Sequence, residues 1–108
     1  MTQEDLYKNL KSFNFPVAYD HFIVDDENPP PPLPFITYRF IEDNDLIADN
    51  TNYFEIGVYH IELYTGFKEP DKERLLQDKF KELKIPYRKT ETYIDAEKMY
   101  QILYEIQI

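Results

Sequence analysis

Between Met99 and Ile108, Tyr100, Ile102, Tyr104, Ile106 and Ile108 recur at every second position, with Gln101, Glu105 and Gln107 between them. A side-chain period of two belongs to a β-strand with one apolar face and one polar face. The chain must therefore supply a sheet and something to bury one side of it.

Two segments have the helical period needed for that task. Leu6, Leu10 and Phe13 fall at i, i+4 and i+7, predicting a helix from Thr2 to Phe13. Thr2 followed by Asp5 resembles a capping box, and Pro16 stops any continuation. Leu76, Phe80 and Leu83 repeat the spacing, with Leu75 widening the stripe, so Glu69 to Leu83 reads as a second helix. Pro70 suits its first turn, and Ile85-Pro86 closes it.

The remaining apolar runs read as strands. Val17 to Val24 is the first, ended by the acidic stretch Asp25 to Asn28 and the prolines Pro29 to Pro32 and Pro34. Consecutive prolines cannot donate to a ladder and favour an extended polyproline geometry, making 25–34 a stiff loop or a contact arm. Phe35 to Ile41 and Leu46 to Ala48 read as a hairpin around Glu42 to Asp45, and Asp49 to Asn52 as another turn. Tyr53 to Thr65 is the longest strand expected. Its apolar phase switches near Tyr59, and a β-bulge between Gly57 and His60 would give Glu55 and Glu62 an exposed direction. Tyr87 to Tyr93 completes the set. The order α-β-β-β-β-α-β-β predicts a single α+β domain over 1–108, an antiparallel or mixed sheet with two α-helices packed on it.

Composition narrows the chemistry. Ten Tyr and eight Phe against two Gly favour sheet and adhesive surfaces. The absence of cysteine rules out disulfides and thiolate sites and suits a reducing compartment. A polar start, Met1 to Asp5, does not resemble a secretory signal, and no apolar run approaches the roughly 20 residues that cross a bilayer. A net charge of −9 opposes binding to phosphate backbones. Lys79, Lys81 and Lys84 alternate with Asp78 and Glu82, a solvated helix face rather than a nucleic-acid patch.

No catalytic constellation emerges. Ser12 is the only serine and ends a helix, and His21 and His60 read as half-buried strand residues. Counting an EF-hand loop from Asp43 puts Ala48 and Phe54 where Gly and Glu are required. Asp43, Asp45 and Asp49 read as a solvated turn. Gly57 and Gly66 alone cannot build a phosphate loop. The expectation is a chain with no cofactor, no metal and no enzymatic role.

The segments His60-Ile61-Glu62-Leu63-Tyr64-Thr65, Glu73-Arg74-Leu75-Leu76, Tyr87 to Ile94 and Glu97 to Ile106 form a pattern of strand and helix residues. In these segments, and over most of its length, the chain resembles a family of small proteins from tailed phages and prophages of Gram-positive bacteria. Pro16-Val17-Ala18-Tyr19 and the aromatic strand Phe35 to Tyr38 agree in outline. The resemblance implies a tail terminator or head–tail joining component, an antiparallel sheet flanked by helices that assembles as a ring, commonly a hexamer, between tail-tube and head-connector proteins. Location in the virion, and in the host cytoplasm during assembly, follows. The acidic loop 25–34 is longer than the family leads one to expect. Ring contacts would come from the proline arm, Pro30, Pro31, Pro32 and Leu33, and from Tyr-rich strand faces, with Tyr53 and Tyr59 as candidates. The competing expectation is a small binding module that presents an edge strand or the proline arm to one partner.

Overall fold

The computed structural model describes residues 1–108. Helix α1 spans Gln3–Lys11 and begins with a complete capping box. Thr2 Oγ1 accepts the Asp5 N–H at 3.1 Å, while the Asp5 carboxylate accepts the Thr2 N–H at 3.1 Å. Those bonds hold the Asp5 carboxyl below its ordinary pKa. The helix stops two residues before Phe13, where Ser12 Oγ donates to the Asn9 carbonyl and Asn14 turns left-handed at φ 64°. Helix α2, Pro70–Glu82, has Pro70 in its first turn and buries Leu76 and Phe80.

Seven strands follow the chain: β1 (Val17–Tyr19), β2 (Phe35–Asp43), β3 (Leu46–Ala48), β4 (Thr51–Phe54), β5 (Gly57–Thr65), β6 (Tyr87–Ile94) and β7 (Met99–Gln107). Five form one sheet in the order β1-β2-β5-β7-β6, with β1 parallel to β2 and every other pair antiparallel. The sheet is therefore mixed, and the fold is α+β as expected.

Three local expectations need correction. The first strand ends at Tyr19 rather than Val24, because Asp20 turns left-handed at φ 65° and leads the chain off the sheet. Leu46–Ala48 does not pair back onto β2. It pairs forward with β4 as a separate two-stranded ribbon, through a two-residue turn with Asp49 at φ 53° and Asn50 at φ 63°. Left-handed geometry at both central residues matches the natural strand twist, so the tight turn wins over the looser acidic one. The segment Tyr53 to Thr65 is thus two strands, β4 and β5, interrupted at Glu55–Ile56. That break absorbs the phase switch, and the register shift lies in β2, between Phe40 and Glu42, not at Gly57–His60.

One cluster of thirteen buried apolar residues forms the core. Ile36, Ile61, Leu63, Ile102, Tyr104 and Ile106 line one sheet face. Leu6 and Leu10 of α1 and Leu76 and Phe80 of α2 cover that face, which is why the final alternating run has a dry side. Each such side chain contributes about 1.5–3 kcal/mol by leaving water. Phe80, Tyr87 and Tyr104 meet with ring centroids 5.4–5.6 Å apart. The Tyr104 hydroxyl donates to Gln77 Oε1 at 3.1 Å, and burial drives its pKa far above the tyrosine range.

Glu73 fastens α2 to the sheet. Its side chain is 3% exposed, with Lys89 Nζ of β6 at 2.6 Å and Lys68 Nζ at 2.7 Å. Burial raises the carboxyl pKa, but two ammonium partners outweigh it and leave it below the ordinary value.

Candidate functional site

The sheet face opposite the helices carries a polar network. Glu62, expected to point to solvent, is 7% exposed. It survives burial because Thr37 Oγ1 donates to Glu62 Oε2 at 2.6 Å, Tyr64 OH donates at 3.3 Å, and Arg39 Nε lies 3.6 Å from Oε1. Gln101 Nε2 donates to Tyr64 OH at 2.9 Å, and His60 Nε2 sits 3.1 Å from Glu105 Oε2. Burial raises the Tyr64 pKa, so it remains a neutral donor. These polar atoms bond one another across β2, β5 and β7, an arrangement that satisfies a buried carboxylate. His21 Nδ1 lies 2.8 Å from Asp20 Oδ2 at the surface, and Ser12 Oγ is occupied with its helix end. No group of three or more His, Asp or Glu side chains converges as a metal cage.

The proline loop folds back over one end of this polar face instead of projecting. Phe22 meets Phe35 edge-on at 5.2 Å, and Phe35 lies 5.0 Å from Tyr64. Asp25 Oδ1 accepts the Glu27 and Asn28 N–H groups, closing the acidic turn and lowering its own pKa. Between loop and sheet lies a groove of about 670 Å³, lined partly by Pro30, Pro31, Leu33, Phe35, Tyr64 and Met99. Pro32 does not line it and is exposed.

The ribbon is different. Leu46 is 56% exposed, Ile47 69%, Tyr53 68% and Phe54 61%. Its root is pinned: the Asp45 carboxylate accepts from Ile56 N–H at 2.8 Å and Asn52 Nδ2 at 2.6 Å, which lowers the Asp45 pKa. Asn44 Nδ2 donates to Gln107 Oε1 at 3.0 Å, tying the root to β7. An isolated two-stranded ribbon is marginal in water. This one keeps its shape through its turn and root while leaving four large apolar side chains bare.

Overall dimensions bear the same mark. The chain measures 51 × 31 × 25 Å with a radius of gyration of 15.2 Å, against about 13 Å for a compact domain of this length. Its 7290 Å² of surface exceeds the roughly 6,400 Å² expected of a compact monomer of this mass. Large apolar side chains exposed in that surplus include the four of the ribbon, Ile23, Val24 and Leu33 between β1 and β2, and Phe67 before α2.

Charge is segregated as well. Positions 42–56 hold five acids and no base, whereas 68–89 hold eight of the twelve basic residues. Asp43, Asp49 and Glu55 form no ion pair. Arg74 and Lys79 pair with Asp78 and Glu82 on their own helix, but Lys81, Lys84 and Arg88 pair with nothing. A groove of about 510 Å³ between α2 and the start of β6 is bordered by Arg74, Lys81 and Lys84, with Ile85, Pro86 and Tyr87 among its lining.

The expected contact residues are thus dispersed. Pro30, Pro31 and Leu33 share the groove at the Thr65 end of β5, whereas Tyr53 lies on the ribbon, which leaves the sheet at the Gly57 end. Tyr59 belongs to the core at 8% exposure, its hydroxyl donating to Gln3 Oε1 at 3.1 Å, so it has little surface to offer a partner. Leu46, Ile47 and Phe54 were legible only as strand residues. The available signal was an apolar pair, Leu46-Ile47, enclosed by polar turns too close together to reach a core. Compared with known proteins, the chain matches no family model and no curated protein sequence. No helix is long and apolar enough to cross a membrane.

Proposed function

We propose that this chain is a non-enzymatic, self-assembling part of a phage virion, a tail terminator or head–tail joining component that forms a ring with tail-tube and head-connector proteins. The observation that carries the reading is the bare ribbon: Leu46, Ile47, Tyr53 and Phe54 are ordered, apolar and uncovered. A surface surplus of about 900 Å² is close to the roughly 800 Å² that one partner gives up in a specific interface. A strongly acidic chain beside a DNA path would not grip it, which suits a ring through which DNA passes. The resemblance to phage head–tail proteins supplies the setting.

Light scattering over a concentration series tests self-assembly, and co-sedimentation with assembled tail tubes tests the setting. A closed species of about six protomers that binds tube ends is expected. A chain that ignores tail tubes, alone or as an oligomer, overturns the virion role. The groove beneath the proline loop favours a second reading, a binding module that takes an apolar segment of one partner. Replacing Leu33 and Pro31 with Ser would then abolish partner capture and leave self-association unchanged.

A further inference from the structure

We infer that the acidic, apolar ribbon docks into the basic groove between α2 and β6 of a second copy of this chain. The inference rests on the self-assembly reading and deepens it by naming both halves of the contact. Ribbon and groove complement each other in charge and character. The ribbon and its root carry Asp43, Asp49 and Glu55 without a cation, around Leu46, Ile47, Tyr53 and Phe54. The groove carries Lys81 and Lys84, neither paired with an acid, and Arg74, whose partner is Asp78 of its own helix, beside Ile85, Pro86 and Tyr87. An apolar centre rimmed by opposite charges is how specific interfaces are built. The −9 net charge repels copies at long range, so only a locally complementary pair of patches favours contact.

Placement supports the pairing. Tyr87 stands opposite Ile106, and Val58 opposite Gln107, so groove and ribbon root lie at the same end of the sheet. They are separated across it: the ribbon leaves from β2 and re-enters at β5, while the groove sits at the β6 edge. A neighbour displaced sideways along the sheet would meet the ribbon with its groove. The two patches differ, so each copy offers one of each, the heterologous geometry from which rings close.

Exchange of charge between the patches tests it. Asp43→Lys with Glu55→Lys alters the ribbon root, Lys81→Glu with Lys84→Glu alters the groove, and a fourth chain carries all four changes. All are exposed positions, and unchanged urea midpoints verify the fold. Self-association measured by sedimentation in low salt should weaken at least about tenfold in either two-residue variant and return in the four-residue chain. The ribbon variant is decisive. Its net charge lies closer to zero, so general repulsion alone predicts tighter association, and the docking predicts weaker. Tighter or unchanged association of that variant overturns the inference, as does loss without recovery in the four-residue chain. A wild-type chain that stays monomeric to about 1 mM overturns it too. Tail-tube binding is read separately, so recovery of association without tube binding retains the contact and removes the virion role.

Discussion

Strand β7 and the β3–β4 ribbon use the same side chains to opposite ends. Both are rich in Tyr, Ile, Leu or Phe, and both are closed by short polar turns. β7 lies between β5 and β6 with α2 above it, and Ile102, Tyr104 and Ile106 are sealed from water. The ribbon has no helix and no sheet over it, and its apolar residues remain in solvent. Composition alone therefore does not mark a core. What separates the two is reach: a nine-residue strand spans the sheet and meets a helix, whereas three residues followed by a two-residue turn leave it before any covering element is met.

The sharpest way to break the comparison is to truncate the same residue type in both places. Ile61→Ala, at zero exposure in β5 beside β7, should lower unfolding free energy by about 2–5 kcal/mol in urea titrations. A smaller value would mean that the helices do not seal the sheet. Glu73→Gln comes next, at about 1–3 kcal/mol, less than a wholly buried pair because Lys68 and Lys89 can rehydrate.

The Glu73 variant also has a pH signature. The folded carboxyl pKa lies below its unfolded value, so the contribution is complete above the ordinary glutamate range and is lost as pH falls through the folded value. The stability gap between wild type and Glu73→Gln should close as pH is lowered from neutral through and below the ordinary glutamate range. A gap that persisted in acid would show that the amide fails for packing reasons, not charge.

Thr2→Ala removes half of the capping box and should cost about 1 kcal/mol, seen as a lowered midpoint with an unchanged slope. Smallest is Ile47→Ala in the ribbon, which should change unfolding by less than about 0.5 kcal/mol. Paired with Ile61→Ala, it gives the contrast its cleanest form. A large loss at Ile47 would mean that the ribbon packs against its own chain in solution.

Much of the architecture could be read before the fold was known. Period-two spacing placed β7, the i, i+4, i+7 pattern placed both helices, and Thr2 with Asp5 announced the cap that exists. The candidate surface was harder. Of the two tyrosines the sequence singles out, Tyr53 is exposed on the ribbon and Tyr59 belongs to the core, and Leu46, Ile47 and Phe54 do not stand out. An apolar residue in a predicted strand looks the same whether or not a partner covers it. Charge segregation was equally hidden, because Lys81 and Lys84 neighbour acids along the chain, yet their ammonium groups reach none of them.

Backbone sterics and short-range periodicity act within a few residues, and these the sequence determines by itself: two helices, one begun by a capping box and one by Pro70, apolar strand faces, an acidic cysteine-free chain. Pairing is a competition among distant segments for the same ladder of hydrogen bonds and the same covered area. The tertiary structure alone decides it. Only there does β1 run parallel to β2, the proline loop lie back on the polar face, and the ribbon stand clear because the tight Asp49-Asn50 turn gives its strands to each other before the sheet can take them.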